Sequence, residues 1–185
     1  MENSVSKRVI DAKNLFSNPD SFPVLDIAEL AEHVLSNFKN GRKIAFVGNG
    51  GSAAEAMHLA AEFTGKCVVA HDPMPALCLN ESQSALTAIA NDYGVDQMFA
   101  RQVEAHLKSG DILIALSTSG KSPNIVNALS KAKDLGVVCH LWAGNSDVEI
   151  PGVKIWKVPS TSTPRIQEIH LAWGHILAEV VEVQL

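Results

Sequence analysis

The chain has 185 residues, of which 46% are hydrophobic, and its 20 acidic and 15 basic side chains give a formal charge of -5 at pH 7. This length fits one globular domain with a full core, so we expect a single domain over residues 1–185. The sequence has no Lys/Arg block of the kind that binds nucleic acid, and no apolar run approaches the ~18 residues of a membrane span.

Two helices are predicted at the start of the chain, over residues 3–16 and 24–40. The segment between them, SNPDSFP, is rich in the proline and Asx residues that form turns. We therefore expect a helical N-terminal arm over residues 1–40 and an α/β core over residues 41–185.

The pattern changes at residue 43, where short apolar runs begin to alternate with helix-length stretches. This alternation predicts a five-stranded parallel sheet with helices on both faces. The strands are KIAFVG, PALCLN, DILIALS, VVCHLWAG and VKIWKVP, and the helices cover residues 51–65, 83–107, 121–135 and 164–183. We expect the second of these helices to break near Tyr93-Gly94, where Asn91-Asp92 could cap or close a turn.

A glycine-rich turn, GNGGSA, follows the first strand and opens a helix. Backbone N–H groups of such glycines can approach an anion closely, and a helix N-terminus favours negative charge. Two other interpretations remain open. Gly48, Gly50 and Ala53, with Asp72 further along, also match the dinucleotide fingerprint, and the glycines could simply allow a tight turn.

A second turn, ALSTSGKSPN, follows the third strand and carries Ser117, Thr118, Ser119 and Ser122. These hydroxyls, with a helix N-terminus, can donate several hydrogen bonds to one phosphate, and no P-loop motif is present. Ser122 before Pro123 is also typical of a helix N-cap. Open α/β sheets bind ligands at the carboxyl ends of their strands, where both turns lie.

His58 and Glu62 lie four residues apart on the helix that starts at the first turn, so they share one face and could hold a metal ion. An ordinary hydrogen bond between them is the alternative. Gln167 and His175 on the last helix lie beside an apolar face, and a core histidine is the usual explanation for such a residue.

The cysteines Cys67, Cys78 and Cys139 are odd in number and form no CxxC pair. This argues against a disulfide framework and against a thiolate zinc site. With no apolar signal core at the N-terminus, we expect a cytoplasmic protein.

Four segments together resemble the SIS (sugar isomerase) domain family, and within it the sedoheptulose 7-phosphate isomerases. They are GNGGSAAEAMHLAAEF, ANDYGVDQMFARQVEA, LSTSGKSPNIVNAL and STPRIQEIHLAWGHIL, and they occur in the family's order over nearly the whole chain. The resemblance implies a three-layer α/β/α homotetramer and an aldose–ketose isomerase that makes D-glycero-D-manno-heptose 7-phosphate for heptose biosynthesis.

The resemblance also implies roles for individual residues. Sugar-phosphate contacts are expected from Asn49, Gly50, Gly51, Ser52, Glu62, Asn91, Asp92, Ser117, Thr118, Ser119, Ser122 and Gln167. Glu62 and His175 are the expected acid/base pair. His58, Glu62, Gln167 and His175 are the expected ligands of one zinc ion per subunit.

The chain departs from the family pattern at Met57, where a glutamine is common, and at Pro164, where some members carry an aspartate. Two non-enzymatic functions occur on the same scaffold, namely binding of a replication initiator and sensing of a sugar phosphate. His175 favours the enzyme over the initiator-binding proteins, and a sensor normally carries a DNA-binding domain.

Gln167 and His175 are eight residues apart, which places them roughly 12 Å apart along one helix. At that separation the two side chains are too far apart to bind one ion together. If both serve a shared zinc site, we expect one of them to come from a neighbouring subunit, so that sites are shared between chains.

Overall fold

The computed structural model describes all of residues 1–185, and it begins with two helices, α1 (Glu2–Ser17) and α2 (Val24–Lys39). A 3-10 turn over Pro19–Ser21 joins them, and the Asn18 side chain caps this turn by accepting from the Asp20 N–H. Both predicted helices are confirmed to within one residue. Leu15 is the only buried residue of α1, so most of that helix is exposed in the single chain.

Five strands form one fully parallel sheet, as predicted. They are β1 (Ile44–Gly48), β2 (Ala76–Cys78), β3 (Ile112–Leu116), β4 (Val138–Ala143) and β5 (Val153–Lys157), in the order β2-β1-β3-β4-β5. In the register, Phe46 of β1 lies beside Cys78 on one side and Ile114 on the other. Because the strands are parallel, their carboxyl ends meet at one edge of the sheet.

Five helices connect and follow the strands. They are α3 (Gly51–Thr64), α4 (Gln83–Tyr93), α5 (Met98–His106), α6 (Pro123–Asp134) and α7 (Thr163–Glu182). The predicted break is confirmed, since α4 ends at Gly94, whose φ of +94° favours glycine. None of these helices combines the length and the apolar character that crossing a bilayer requires.

Two hydrophobic cores lie on opposite faces of the sheet. Side chains alternate along β1, so that Ile44 and Phe46 join one core and Ala45 and Val47 join the other. Helices α2, α3 and α7 cover the first core, and α5 and α6 cover the second. The result is the expected three-layer α/β/α arrangement, with all three cysteines as free thiols.

Candidate active site

The glycine turn carries the chain from β1 into α3. A Cβ at Gly48 would lie 2.4 Å from the Ser52 carbonyl oxygen, so only glycine fits there. Gly50 has a φ of +55°, which also favours glycine. The side chain of Asn80, two residues after β2, holds this turn by accepting from the Gly48 N–H at 3.1 Å and donating to the Gly48 carbonyl at 2.9 Å.

The serine turn carries the chain from β3 into α6. Ser117 is buried, and the exposed Ser119 hydroxyl accepts from the Lys121 N–H at 3.2 Å. Ser122 is the N-cap residue and Pro123 begins the helix, which confirms that part of the prediction. The Ser122 side chain makes no capping hydrogen bond, so its hydroxyl can donate to a ligand.

A pair of asparagines joins the two turns. Asn49 and Asn124 each donate from Nδ2 to the other's Oδ1, and both distances are 2.9 Å. Asn124 is buried in the first turn of α6. Because each amide fixes the other, the glycine turn and the serine turn are held at a set separation, a link that the sequence did not reveal.

Helices α3 and α7 pack side by side and carry the remaining predicted residues. Near the start of both helices, Gln167 Nε2 donates to Ser52 Oγ at 3.3 Å. Further along, a Cβ at Gly174 would lie 2.2 Å from Leu59 Cδ2, so the helices approach closely there. At the far end, Glu182 of α7 accepts the backbone N–H groups of residues 67–69, which follow α3.

Three side chains meet on the outer face of this helix pair. The Nε2 atoms of His58 and His175 lie 2.8 Å apart, and His58 Nε2 lies 3.1 Å from Glu62 Oε1. All three ligand atoms lie within 4.8 Å of one another. The Glu62 side chain is 16% exposed and that of His58 is 47% exposed, so the cluster is open to small molecules.

Two imidazole nitrogens and one carboxylate oxygen form a donor set that suits zinc, with room for further ligands. The residues present therefore fit the metal that the sequence resemblance implies. Cys67 lies beside Glu62, and burial together with the Glu62 charge raises the pKa of its thiol to about 11.

Glu55 lies on the same stripe of α3 as Gly51, His58 and Glu62, at spacings of four, three and four residues. Burial raises the pKa of its carboxyl to about 7, and a hydrogen bond with the Ser52 side chain opposes part of that rise. Its Oε2 atom is buried without a partner. The sequence analysis did not single out this residue, although its helical spacing from His58 and Glu62 was visible.

Comparison with known proteins gives consistent matches. The SIS domain family model matches residues 20–139. A phosphoheptose isomerase of Rhodospirillum rubrum is 47% identical over 159 residues, which cover 84% of each chain. One of Aquifex aeolicus is 42% identical over 158 residues, covering 84% of this chain and 83% of the relative.

Solved structures agree with these sequence matches. The phosphoheptose isomerase GmhA of Neisseria gonorrhoeae superposes with a TM-score of 0.89 at 32% identity over 98% of both chains. A phosphoheptose isomerase of Francisella tularensis gives 0.87 at 31% identity over 98% of this chain and 96% of that one. This chain belongs to the phosphoheptose isomerase family of SIS-domain proteins.

Membership of the phosphoheptose isomerase family removes the dinucleotide interpretation. The fingerprint requires an acidic residue after the second strand, where it would bind a ribose. Asp72 instead lies in the loop between α3 and β2, before that strand begins.

The structure brings some of the predicted residues together and separates others. His58, Glu62 and His175 form one cluster, whereas Gln167 contacts Ser52 near the start of the helix pair. Asn91 and Asp92 lie in the exposed last turn of α4, where Asn91 Nδ2 donates to Asp92 Oδ1 at 2.8 Å. They do not cap the helix, because Gly94 ends it.

Proposed function

We propose that this protein is an aldose–ketose isomerase that converts sedoheptulose 7-phosphate to D-glycero-D-manno-heptose 7-phosphate for heptose biosynthesis. The observation that carries the proposal is the cluster of His58, Glu62 and His175 in a chain that also presents two anion-binding turns. The names of the relatives support the substrate. Free thiols are typical of a reducing compartment, so we place the reaction in the cytoplasm.

The two turns would bind the sugar phosphate. N–H groups at the start of α3 and α6, with the hydroxyls of Ser117, Thr118, Ser119 and Ser122, supply donors to the phosphate. Asn49, Gly50, Gly51 and Ser52 lie on the facing turn, linked to the serine turn through Asn124. Asn91 and Asp92 of α4 would contact the sugar.

Isomerisation requires ring opening, removal of a proton from the carbon next to the carbonyl, and its return to the neighbouring carbon through an enediolate. The mostly buried Glu62 carboxylate is the proposed base for the carbon-bound proton. The His175 imidazole is placed beside it to move protons between the two substrate oxygens. Glu62 would thus move the proton on carbon, and His175 would move the protons on the substrate oxygens.

His58, Glu62 and His175 would hold a zinc ion, with the Gln167 oxygen as a further ligand. When bound, zinc supplies Lewis-acid stabilisation of negative charge on substrate oxygens. A carboxylate bonded to zinc is a weaker base, so Glu62 can serve both roles only if its bond to the metal is loose. The protein's own contribution is to keep this carboxylate beside two imidazoles in one cluster.

The separation within one chain supports sites shared between subunits of a homotetramer. Gln167 contacts Ser52 and lies roughly 12 Å along α7 from His175. Its oxygen would therefore reach the cluster of a neighbouring chain, not its own. The exposed apolar residues Val5, Val9, Ile10 and Phe16 of α1, and an α4 with no buried residue, provide surface for such an assembly.

Incubation of the purified protein with sedoheptulose 7-phosphate, with the aldose phosphate product followed by chromatography, tests the proposal. We expect turnover that Glu62→Gln lowers by about 10²- to 10⁴-fold, and that a chelator lowers until zinc is restored. No turnover of several ketose phosphates by zinc-loaded protein would contradict the enzyme and favour a non-catalytic SIS-domain binder or sensor.

A further inference from the structure

Helix α4 carries Asn91 and Asp92 in its last turn, yet little of that helix is anchored to the rest of the chain. No residue of α4 is buried, and Leu86, two turns before the end, is the only one that packs against a hydrophobic core. The helix ends at Gly94, where a φ of +94° turns the chain away. Contacts outside the two cores must therefore hold the last turn in place.

Arg101 of α5 provides such a contact. Its guanidinium carbon lies 3.8 Å from the centre of the Tyr93 ring, and Tyr93 directly follows Asp92. A cation over the face of an aromatic ring is attracted by the quadrupole of the ring. Helix α5 is itself firmly placed, because Phe99 and Val103 are buried in the second core. The Arg101–Tyr93 pair therefore ties the exposed end of α4 to an anchored helix.

A hydrogen bond from α6 fixes the segment just after α4. Asn127 Nδ2 donates to the Asp96 carbonyl at 3.1 Å. Asn127 lies in the second turn of α6, the helix that begins at the serine turn. The end of α4 is therefore held on the side of the fold where the phosphate is proposed to bind.

The side chains of Asn91 and Asp92 are joined to each other. Asn91 Nδ2 donates to Asp92 Oδ1 at 2.8 Å. The Asn91 oxygen and the second Asp92 oxygen remain to accept hydrogen bonds from a ligand. Acceptor oxygens beside a carboxylate suit hydroxyl groups, which donate, and not a phosphate, which carries negative charge.

We propose that Arg101 is a positioning residue that, through the Tyr93 ring, holds Asn91 and Asp92 where they accept hydrogen bonds from the sugar hydroxyls. This inference rests on the proposed function, in which Asn91 and Asp92 contact the sugar. Without the guanidinium, the last turn of α4 loses its tie to α5, and the sugar must order that turn when it binds. The loss falls on binding of the sugar, whereas the glycine and serine turns still bind the phosphate.

Calorimetry on the full-length assembled protein tests this role, with Glu62→Gln present to prevent turnover. Arg101→Gln and Tyr93→Leu are made singly and together, and Tyr93→Phe keeps the aromatic ring. Each variant is titrated with sedoheptulose 7-phosphate and, separately, with inorganic phosphate. Lys108→Gln, which removes an exposed positive charge just after α5, is the matched control.

We expect Arg101→Gln and Tyr93→Leu each to weaken binding of sedoheptulose 7-phosphate about 2- to 5-fold, and the double variant to lose no more than either single one. Tyr93→Phe and Lys108→Gln should bind the sugar phosphate as the Glu62→Gln protein does. Binding of inorganic phosphate should change no more in the Arg101 and Tyr93 variants than in Lys108→Gln. A loss that is absent, additive, or equal for inorganic phosphate would overturn the inference.

A second cycle tests the route through the last turn of α4. When Asn91→Ala and Asp92→Ala are already present, Arg101→Gln should cause no further loss of affinity for the sugar phosphate. An undiminished loss would overturn the inference, and this cycle decides where inorganic phosphate binds too weakly to titrate. Thermal unfolding establishes that each variant is folded. If Tyr93→Leu is not, Arg101→Gln decides against Arg101→Lys, which keeps a positive charge and should lose less.

The result also separates this inference from the proposed function. Natural protein that turns over no ketose phosphate, with Glu62→Gln protein that binds none, removes both. Turnover by the natural protein, with an affinity for the sugar phosphate that Arg101→Gln leaves unchanged, removes only the role of Arg101.

Discussion

Ser119 belongs to the serine turn that we propose as the site of the substrate phosphate. It is the exposed serine of its turn and makes only a local contact with the Lys121 N–H. A hydrogen bond to a charged phosphate contributes roughly 1.5 to 3 kcal/mol. We therefore expect Ser119→Ala to raise the dissociation constant for sedoheptulose 7-phosphate on the order of 10- to 100-fold, measured by calorimetry in the inactive Glu62→Gln protein.

The matched control for this serine is Ser130→Ala, an exposed serine on the outer side of α6. It should bind as the natural protein does. If Ser119→Ala binds the sugar phosphate as tightly as the control, the serine turn is not the phosphate site.

Two buried histidines, His140 and His170, make stability depend on pH. Burial lowers the pKa of each to about 4, whereas an unfolded histidine has a pKa near 6.5. The unfolded chain therefore binds more protons between these values, so the histidines' contribution is fully present above about pH 6.5 and is lost as the pH falls toward 4.

At pH 5 the free energy of unfolding should be lower than at pH 7.5 by on the order of 2 kcal/mol for each of the two histidines. Urea unfolding at the two pH values measures this difference. His170→Gln cannot become charged and can still donate to the Ala143 carbonyl, which His170 Nε2 contacts at 3.4 Å. A variant with the same pH dependence as the natural protein would contradict this account.

These residues also mark the limit of prediction from sequence. Turn chemistry predicted the glycine turn and the serine turn, because glycine conformation and helix N-caps depend on local sequence. The Asn49–Asn124 pair joins residues 75 positions apart, which no local pattern encodes. The sequence also gave no means to tell that His170 is fully buried while His175, five residues later, reaches the cluster.

The close packing of α3 and α7 sets the positions of His58, Glu62 and His175 relative to one another. Leu59 is fully buried, and a Cβ at Gly174 would lie 2.2 to 2.9 Å from three of its side-chain atoms, so the whole side chain would have to shift. We expect Gly174→Ala to lower the free energy of unfolding by about 1 to 3 kcal/mol, as overpacking does, measured by urea denaturation. It should also weaken zinc binding, because His58 and His175 flank this contact.

Removing the opposing side chain provides the control. In a Leu59→Ala background, the added methyl group of Gly174→Ala has room, so its cost should largely disappear. A full cost in both backgrounds would show that helix packing at Leu59 is not the cause.

The elements themselves followed closely from the sequence. The period of the apolar residues predicted all five strands and the break at Gly94, because strand alternation and helix stops are local properties. The packing of α7 against α3 is a long-range property. Only the structure shows that this packing puts Gln167 beside Ser52 and His175 beside His58.

Because we propose that each active site combines residues of two subunits, two different inactive variants should complement each other in mixed oligomers. Gln167→Ala should damage one half of a site and Glu62→Gln the other. After dissociation and reassembly together, mixed oligomers should recover part of the activity, because some sites combine the intact halves of two chains. Mass spectrometry of intact assemblies establishes that mixed oligomers form.

Glu62→Gln mixed with His175→Ala is the matched negative control, since these residues share one cluster within a chain. That mixture should recover no activity. Recovery with this pair, or none with the Gln167 pair, would contradict the proposed division of the site between subunits.

The Asn49–Asn124 pair also bears on the chemical ageing of the protein. Asn49 precedes Gly50. In an Asn-Gly sequence the backbone nitrogen of glycine readily attacks the side-chain carbonyl carbon of asparagine, and a cyclic imide forms as ammonia leaves. Water then opens the imide to aspartate or isoaspartate. In the folded chain both polar atoms of the Asn49 amide are held by Asn124. Deamidation would replace the donor that faces Asn124 with a second oxygen and add a negative charge beside the proposed phosphate site. Protein stored at alkaline pH should therefore lose substrate affinity as its isoelectric point falls, whereas Asn49→Asp should show that loss from the outset.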